Sequence, residues 1–398
     1  MKKRHLKQIF ASFLISGAVL AGCSATDESK EEKEVVESND TEEAKETETT
    51  EPTKIKAEDE TAAFATMKEE LGKAKEDQEV DWDLVLSTYQ DNFKGSVDSV
   101  NGEIGTAIEA AIEGGKAGDL DANVARQLVD KLTQSYFYQV QKGLQKDVAA
   151  ELEAENTESA STLFNEIKVL SEQVFLPTAE KRDGYYELAG EYSMVENITN
   201  GLAVQQEAID NGNVDDFKVY AQLTDKSIYK SYYLAANSYA EKIAIGMEEG
   251  SDATELQIMQ AEGYGFLQAI SGSLSGGDEE AATKLNELFS LSTDASILNQ
   301  EEISSLFIKS IVAKTTGYHE KTAGALEAGE ETEAKVEAME GNMFLNMLQV
   351  EVSKQLGEEQ SVEVMAQAKS WFEAVESQDI DSAKQHSDAI VSVLTQLQ

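Results

Sequence analysis

Apolar residues recur at three- and four-residue spacing along most of the chain from about residue 61 onward. Two such runs are Val80, Leu84, Leu86 and Tyr89, and Ile390, Val393, Leu394 and Leu397. This spacing places the apolar side chains on one face of an α-helix, and we find no sustained alternation typical of a half-buried strand. Helix-favouring residues dominate these segments, and the chain has only two prolines. The pattern therefore predicts an all-α fold.

Two segments of the chain repeat one another. Residues 239–250, YAEKIAIGMEEG, align without gaps with residues 318–329, YHEKTAGALEAG, and six of the twelve positions are identical. Composition alone would give roughly one identity in a stretch of this length. The blocks EGYGFL at 262–267 and EGNMFL at 340–345 follow in the same order. The chain therefore contains an internal duplication with an offset of 79 residues in its first block.

A short motif marks the ends of several predicted helices. It consists of a small residue, an apolar residue, an acid, any residue and glycine. It occurs at 111–115, 208–212, 246–250 and 325–329, with a relative at 374–378 that lacks the glycine. A left-handed glycine commonly ends a helix, and an acidic residue soon after it commonly caps the next one. We therefore expect residues 61–398 to form helical hairpins from the internal repeat, stacked as a bundle or a short solenoid.

The first 23 residues have the composition of an export signal. Four basic residues within positions 2–7 precede an apolar stretch over positions 9–20, which is too short to span a membrane. The stretch ends in LAGC, and Cys23 is the only cysteine in the chain. LAGC resembles the lipobox of bacterial lipoproteins. The resemblance implies that residues 1–22 are a signal peptide cut before Cys23, which then carries diacylglycerol and further acyl chains such as palmitate. The alternative is an ordinary signal peptide with a coincidental cysteine.

The segment that follows Cys23 is strongly acidic. Residues 27–60 contain 15 acidic and five basic residues, and no aromatic residue. Such a segment buries too little apolar surface to offset the entropy cost of ordering, and its like charges extend it. We expect residues 23–60 to be a lipid-anchored, disordered linker that holds the domain away from the membrane. Weak capture of cations is the alternative.

Charge and composition exclude several classes of function. Acidic residues outnumber basic ones by 76 to 33, so the formal charge is −43, which disfavours nucleic acid as a partner. A lone cysteine excludes a disulfide framework and a cysteine-built metal site. The chain has three histidines and neither a phosphate-binding loop nor a nucleophile-elbow motif. We therefore expect no enzymatic activity, although so many carboxylates leave paired-acid hydrolysis open.

The duplicated segment supplies the candidate metal ligands. They are Tyr239, Glu241 and Glu262 in the first copy, and Tyr318, Glu320 and Glu340 in the second. In a hairpin the second block folds back toward the first, so each copy could bring one phenol and two carboxylates together. Hard cations such as ferric iron, manganese or calcium favour oxygen donors of this kind. The alternative is that the tyrosines pack in the helix interface, and that Glu241 and Glu320 pair with neighbouring lysines or face water.

The lipobox, the acidic helical repeats and the E-G-x-x-F-L blocks together resemble bacterial lipoproteins related to the algal iron-assimilating (high-CO2-inducible) periplasmic proteins. The resemblance implies capture or uptake of iron at the extracytoplasmic face of the cell membrane. Its partners would be iron or another hard cation, the membrane through the lipid anchor, and a membrane transporter or envelope protein. The second expectation is a non-catalytic envelope interaction or scaffold lipoprotein that binds a partner surface and no metal.

Overall fold

The computed structural model describes residues 55–397, and it contains helices and no β-strand within that range. The α-helices are α1 (Ala57–Gly72), α2 (Trp82–Asn92), α3 (Lys94–Ala117), α4 (Ala122–Glu153), α5 (Thr157–Leu170), α6 (Leu176–Tyr186), α7 (Met194–Asn211), α8 (Val214–Glu249), α9 (Ala253–Ser275), α10 (Glu279–Phe289), α11 (Gln300–Ala328), α12 (Glu331–Met347), α13 (Gln349–Leu356), α14 (Glu358–Glu376) and α15 (Ile380–Leu394). A π-helical turn joins α5 to α6 at Ser171–Phe175, and short 3₁₀ turns lie at Lys73–Glu76, Gly190–Tyr192 and Ala295–Ile297. The all-α prediction is confirmed.

The predicted signal peptide, Cys23 and most of the predicted linker lie outside the described residues. The first described helix begins at Ala57, inside the segment assigned to the linker. Ala57 is fully buried, and its amide donates to Glu166 Oε2 at 2.6 Å. Packing against α5 therefore starts several residues before the regular apolar spacing becomes visible in the sequence.

Three of the predicted helix ends are glycines in the left-handed conformation. Gly212 ends α7 with φ 64°, Gly250 ends α8 with φ 83°, and Gly329 ends α11 with φ 74°. The prediction at 111–115 is wrong, since α3 continues to Ala117 and ends at Gly118 with φ 67°. A Cβ atom on Gly115 would lie 2.5 Å from the Trp82 ring, so this glycine serves close packing against α2.

The repeated segments form stacked helical hairpins. Helix α8 turns back into α9 and α11 turns back into α12, and these are the two hairpins that the duplication predicts. Helix α9 also packs against α4, while α12 also packs against α8. Helix α8 is therefore the hairpin partner of one repeat and the supporting helix of the next. Helices α14 and α15 cover α12 and α11 at the C-terminal end.

The middle of α8 is buried on every side. Each residue from Thr224 to Ala240 is buried, and three of its tyrosines contact aromatic rings of other helices: Tyr229 with Phe344, Tyr232 with Phe266, and Tyr233 with Phe307. The same stretch carries charged side chains, which are costly to bury unless they are paired. None of the described helices is long and apolar enough to cross a membrane.

Candidate functional site

Tyr239 and Glu262, two of the predicted ligands, meet in a buried cluster around Lys131. The Lys131 Nζ lies 2.7 Å from Asp130 Oδ2 and 3.8 Å from Glu262 Oε1. Gln127 Nε2 donates to Glu262 Oε2 at 2.5 Å, and the Tyr239 hydroxyl also bonds to Glu262. We call Asp130, Lys131, Tyr239 and Glu262 the first charge cluster.

The second copy of the repeat builds the same arrangement. Lys226 Nζ lies 2.7 Å from Asp225 Oδ2 and 2.6 Å from Glu340 Oε1. Tyr318 is close enough to help raise the pKa of Lys226. We call Asp225, Lys226, Tyr318 and Glu340 the second charge cluster. In both clusters the Asp-Lys pair comes from the supporting helix, the tyrosine from the first helix of the hairpin, and the glutamate from the second.

An aromatic ring lies beneath each cluster. The Lys131 ammonium lies 5.0 Å from the centre of the Phe266 ring, and Tyr239 stacks on that ring. In the second copy Lys226 lies 5.8 Å from the Phe344 ring, on which Tyr318 stacks. A lysine over an aromatic face gains a favourable electrostatic contact, which helps to offset its loss of hydration. The two phenylalanines are the F of the repeated E-G-x-x-F-L blocks, and this is their structural role.

The glycine of each repeated block allows the two helices of a hairpin to approach. A Cβ atom on Gly263 would lie 3.1 Å from the Cβ of Tyr239 and 2.5 Å from the Phe289 ring. On Gly341 it would lie 3.2 Å from the Cβ of Tyr318. The Glu-Gly pair therefore sets the tyrosine and the glutamate of each repeat side by side.

Glu241 and Glu320 do not join the two clusters. Glu241 accepts a hydrogen bond from the Tyr185 hydroxyl at 3.3 Å, and Glu320 lines a groove elsewhere on α11. Each follows its tyrosine by two residues, which turns its side chain about 200° around the helix axis. The structure therefore assembles one phenol and one glutamate per repeat, with an aspartate and a lysine that come from another helix.

In each cluster the lysine ammonium faces the glutamate that was predicted to bind a metal ion. Burial alone would lower the pKa of Lys226, but the charges of Asp225 and Glu340 raise it well above its ordinary value, so the ammonium is retained. Burial and the charge of Glu262 raise the pKa of Tyr239, which opposes the phenolate that a ferric ion prefers. Among residues 55–397 no group of three or more histidine, cysteine, aspartate and glutamate side chains is placed to hold a metal ion.

Sequence reasoning missed the two Asp-Lys pairs. They stand at 130–131 and 225–226, each on a helix that continues with several tyrosines. Their offset of 95 residues differs from that of the repeated segments, so a search at one fixed offset does not align them. An acidic and a basic residue side by side in a predicted buried helix is the signal that could have found them.

A separate groove of about 520 Å³ lies between α11 and α15. At its base the imidazole of His319 stacks on Trp371 at 3.7 Å between ring centres, and its Nδ1 lies 2.8 Å from Ser387 Oγ. Burial lowers the pKa of His319 to about 4, so the ring is neutral at physiological pH. The groove lies on the second copy of the repeat and is separate from both charge clusters.

No protein-family model matches the chain, and no curated protein and no solved structure matches it.

Proposed function

We propose that the protein is a lipid-anchored, non-catalytic binding scaffold at the extracytoplasmic face of the cell membrane. The LAGC sequence at Cys23 supports the anchor, because several acyl chains on one residue suffice for stable attachment. The stacked helical hairpins support the scaffold, because helical repeats present extended surfaces to partner molecules.

The ion pairs made by the repeated glutamates favour a scaffold over a protein that captures metal ions. Glu340 and Glu262 each face a lysine ammonium, and Glu340 makes a short ion pair with Lys226. The two charge clusters join successive hairpins and are electrostatically paired without an added ion. This pairing is the observation that carries the proposal.

Capture of iron or another hard cation stays a prediction. To use Glu340 or Glu262, a metal ion would have to displace Lys226 or Lys131, and the buried ammonium would then keep only its aspartate partner. Losing one of two carboxylate partners in this way costs about 1–3 kcal/mol. A metal site would have to recover that energy from ligands that the two clusters do not provide.

The surface charge suggests which partners the scaffold would accept. Residues 61–398 contain 61 acidic and 24 basic residues. An acidic surface is repelled by anionic lipid headgroups, which would keep most of the domain's surface away from the membrane to which Cys23 is anchored. Charge complementarity favours a basic envelope protein as the main partner.

The anchor and the absence of a metal role can be tested on the full chain. Replacing Cys23 with Ala should move the protein from the membrane to the soluble fraction or leave it unprocessed, whereas the matched variant Ser24→Ala should stay on the membrane. Titration calorimetry with ferric, manganous and calcium ions should show no stoichiometric uptake. Uptake of one or two ions per chain would overturn the scaffold proposal in favour of metal capture.

A further inference from the structure

Five basic side chains lie close enough for their charges to interact with one another or with the first charge cluster. They are Lys68 on α1, Arg126 on α4, Lys181 and Arg182 on α6, and Lys242 on α8. We call them the basic cluster. Such a concentration is unexpected in a chain whose acidic residues outnumber its basic ones by more than two to one.

Two of these cations lie near the same tyrosine ring. The Arg182 guanidinium carbon lies 5.8 Å from the centre of the Tyr185 ring, and Lys242 Nζ lies 5.7 Å from the same centre. Lys242 Nζ also lies 4.1 Å from the centre of the Tyr239 ring. Tyr185 is 46% exposed, so this part of the basic cluster is open to solvent.

Unlike many lysines of this protein, the basic cluster lacks carboxylate partners. Lys94, Lys116 and Lys309 illustrate the common case, since each forms an ion pair. No member of the basic cluster forms an ion pair with a described residue. The nearby carboxylates of Asp130 and Glu262 face Lys131 instead.

Arg182 is buried and only partly hydrogen-bonded. It is 9% exposed, its Nη1 donates to Ser238 Oγ at 3.1 Å, and its Nε has no hydrogen-bond partner within residues 55–397. Buried guanidinium groups are normally paired, because loss of hydration without compensation is costly. An unpaired N–H on a guanidinium can donate a charge-assisted hydrogen bond to an oxyanion.

The charges of the basic cluster act on one another. Partial burial lowers the pKa of Lys181, and the charges of Lys131 and Lys68 lower it further, while Asp130 and Glu262 raise it in part. Burial and the charge of Arg182 lower the pKa of Lys242, while Glu262 and Glu241 raise it in part. The carboxylates of this region therefore offset its positive charge only in part, and a bound anion would offset more of it.

We propose that the basic cluster is a binding site for a phosphate group, with Arg182, Lys181 and Lys242 as its ligands and Tyr185 at its edge. Six cations, counting Lys131, face the three carboxylates of Asp130, Glu241 and Glu262, so a group with two negative charges fits better than a single carboxylate. The phosphate can be free or can belong to a lipid headgroup. The site lies on the helical domain and does not depend on lipid at Cys23.

The test is titration calorimetry of the full chain in detergent with inorganic phosphate, and in parallel its binding to phosphatidylglycerol vesicles. We expect saturable binding with a dissociation constant of about 1 mM or tighter. Saturation by inorganic phosphate identifies free phosphate as the source, and binding to the vesicles alone identifies the headgroup. Lys181 is exposed, and its side chain makes no hydrogen bond or ion pair with a described residue. Lys181→Gln should therefore leave the fold intact and weaken phosphate binding at least about threefold.

A charge-matched control separates a built site from general attraction. Lys284→Gln removes the same charge from a lysine that pairs with Glu287 on α10, and its affinity should stay within about twofold of the original. Arg182→Gln and Lys242→Gln should weaken binding more than Lys284→Gln, with circular dichroism confirming that each variant is folded. Equal effects of Lys181→Gln and Lys284→Gln, or no saturable binding of either probe, would overturn the phosphate site. Binding of a glutamate-rich peptide without binding of phosphate would also overturn it.

Discussion

Replacing Glu340 with Gln tests whether the second charge cluster is a structural element. The variant keeps the shape of the side chain and removes the charge that lies 2.6 Å from Lys226 Nζ. Both side chains are nearly buried, with 13% and 10% of their surfaces exposed. Solvent therefore screens their attraction only weakly.

The expected loss of stability is the lost attraction between the two charges, less the cost of burying the carboxylate. Two unit charges about 4 Å apart attract by about 4 kcal/mol at an effective dielectric constant of about 20. Removing the carboxylate also removes the cost of burying it, and Lys226 keeps Asp225 at 2.7 Å. We therefore expect Glu340→Gln to lower the free energy of unfolding by about 1–3 kcal/mol.

Two further variants show how large the loss of stability should be for a weaker and for a stronger perturbation. Glu262→Gln should cost less, because Glu262 lies 3.8 Å from Lys131 and a glutamine can still accept the hydrogen bond from Gln127. Lys226→Met should cost most, about 3–5 kcal/mol, because two buried carboxylates then lose their cation. Glu363→Gln, on the exposed face of α14, serves as the control.

The assay is urea denaturation of the full chain, with melting curves in the presence and absence of ferric, manganous and calcium ions. A ligand that binds only the folded state raises the melting temperature. An unchanged or higher stability of Glu340→Gln, together with an ion that raises the melting temperature of the original protein alone, would refute the structural role of the cluster.

Three other predictions concern buried groups and the start of the domain. Burial raises the pKa of Glu60 to about 7. The folded protein therefore keeps the carboxyl proton of Glu60 to a higher pH than the unfolded chain does. As a result, the free energy of unfolding should fall as the pH rises from about 4.5 through about 7. Glu60→Gln should therefore stabilise the protein at pH 8 by up to about 3 kcal/mol and have little effect at pH 4, with exposed Glu69→Gln as the control in urea denaturation. Burial lowers the pKa of Lys230 to about 7, so its charged form opposes folding at low pH; Lys230→Met should stabilise the protein more at pH 6 than at pH 10, and the opposite order would contradict the assignment. A chain that begins at Ile55 should have the same melting temperature as the full chain, whereas a chain that begins at Thr61 should have a lower one, because the contact between Ala57 and Glu166 is lost. Equal melting temperatures would show that the first turn of α1 contributes nothing to stability.

The helices and their ends could be predicted from local patterns. Periodic apolar positions specify a helix because the side chains on one face must share one buried surface. The glycines at 212, 250 and 329 end their helices through a backbone conformation that glycine adopts without strain. At 111–115 the same motif failed because Gly115 is required for packing against Trp82, and a contact between two helices leaves no trace in a five-residue pattern.

The duplication located part of the candidate site and missed its chemistry. It identified Tyr239, Glu262 and their counterparts because both copies had to keep the same hairpin packing. It could not identify Lys131 or Lys226, because neither lies in the aligned blocks: Lys131 is on α4, and Lys226 is on α8 ahead of the first block. Each ammonium faces a glutamate that was expected to bind a cation.

By itself, the sequence determined the fold class, the hairpins and the net charge, because each depends on composition or on residues a few positions apart. The tertiary structure alone decided which charged groups meet. Asp130 and Glu262 are 132 positions apart, and they share Lys131 only because α9 packs against α4. The basic cluster depends in the same way on the relative placement of four helices. Packing of the core sets that placement, and in a packed core residues far apart along the chain can be in contact.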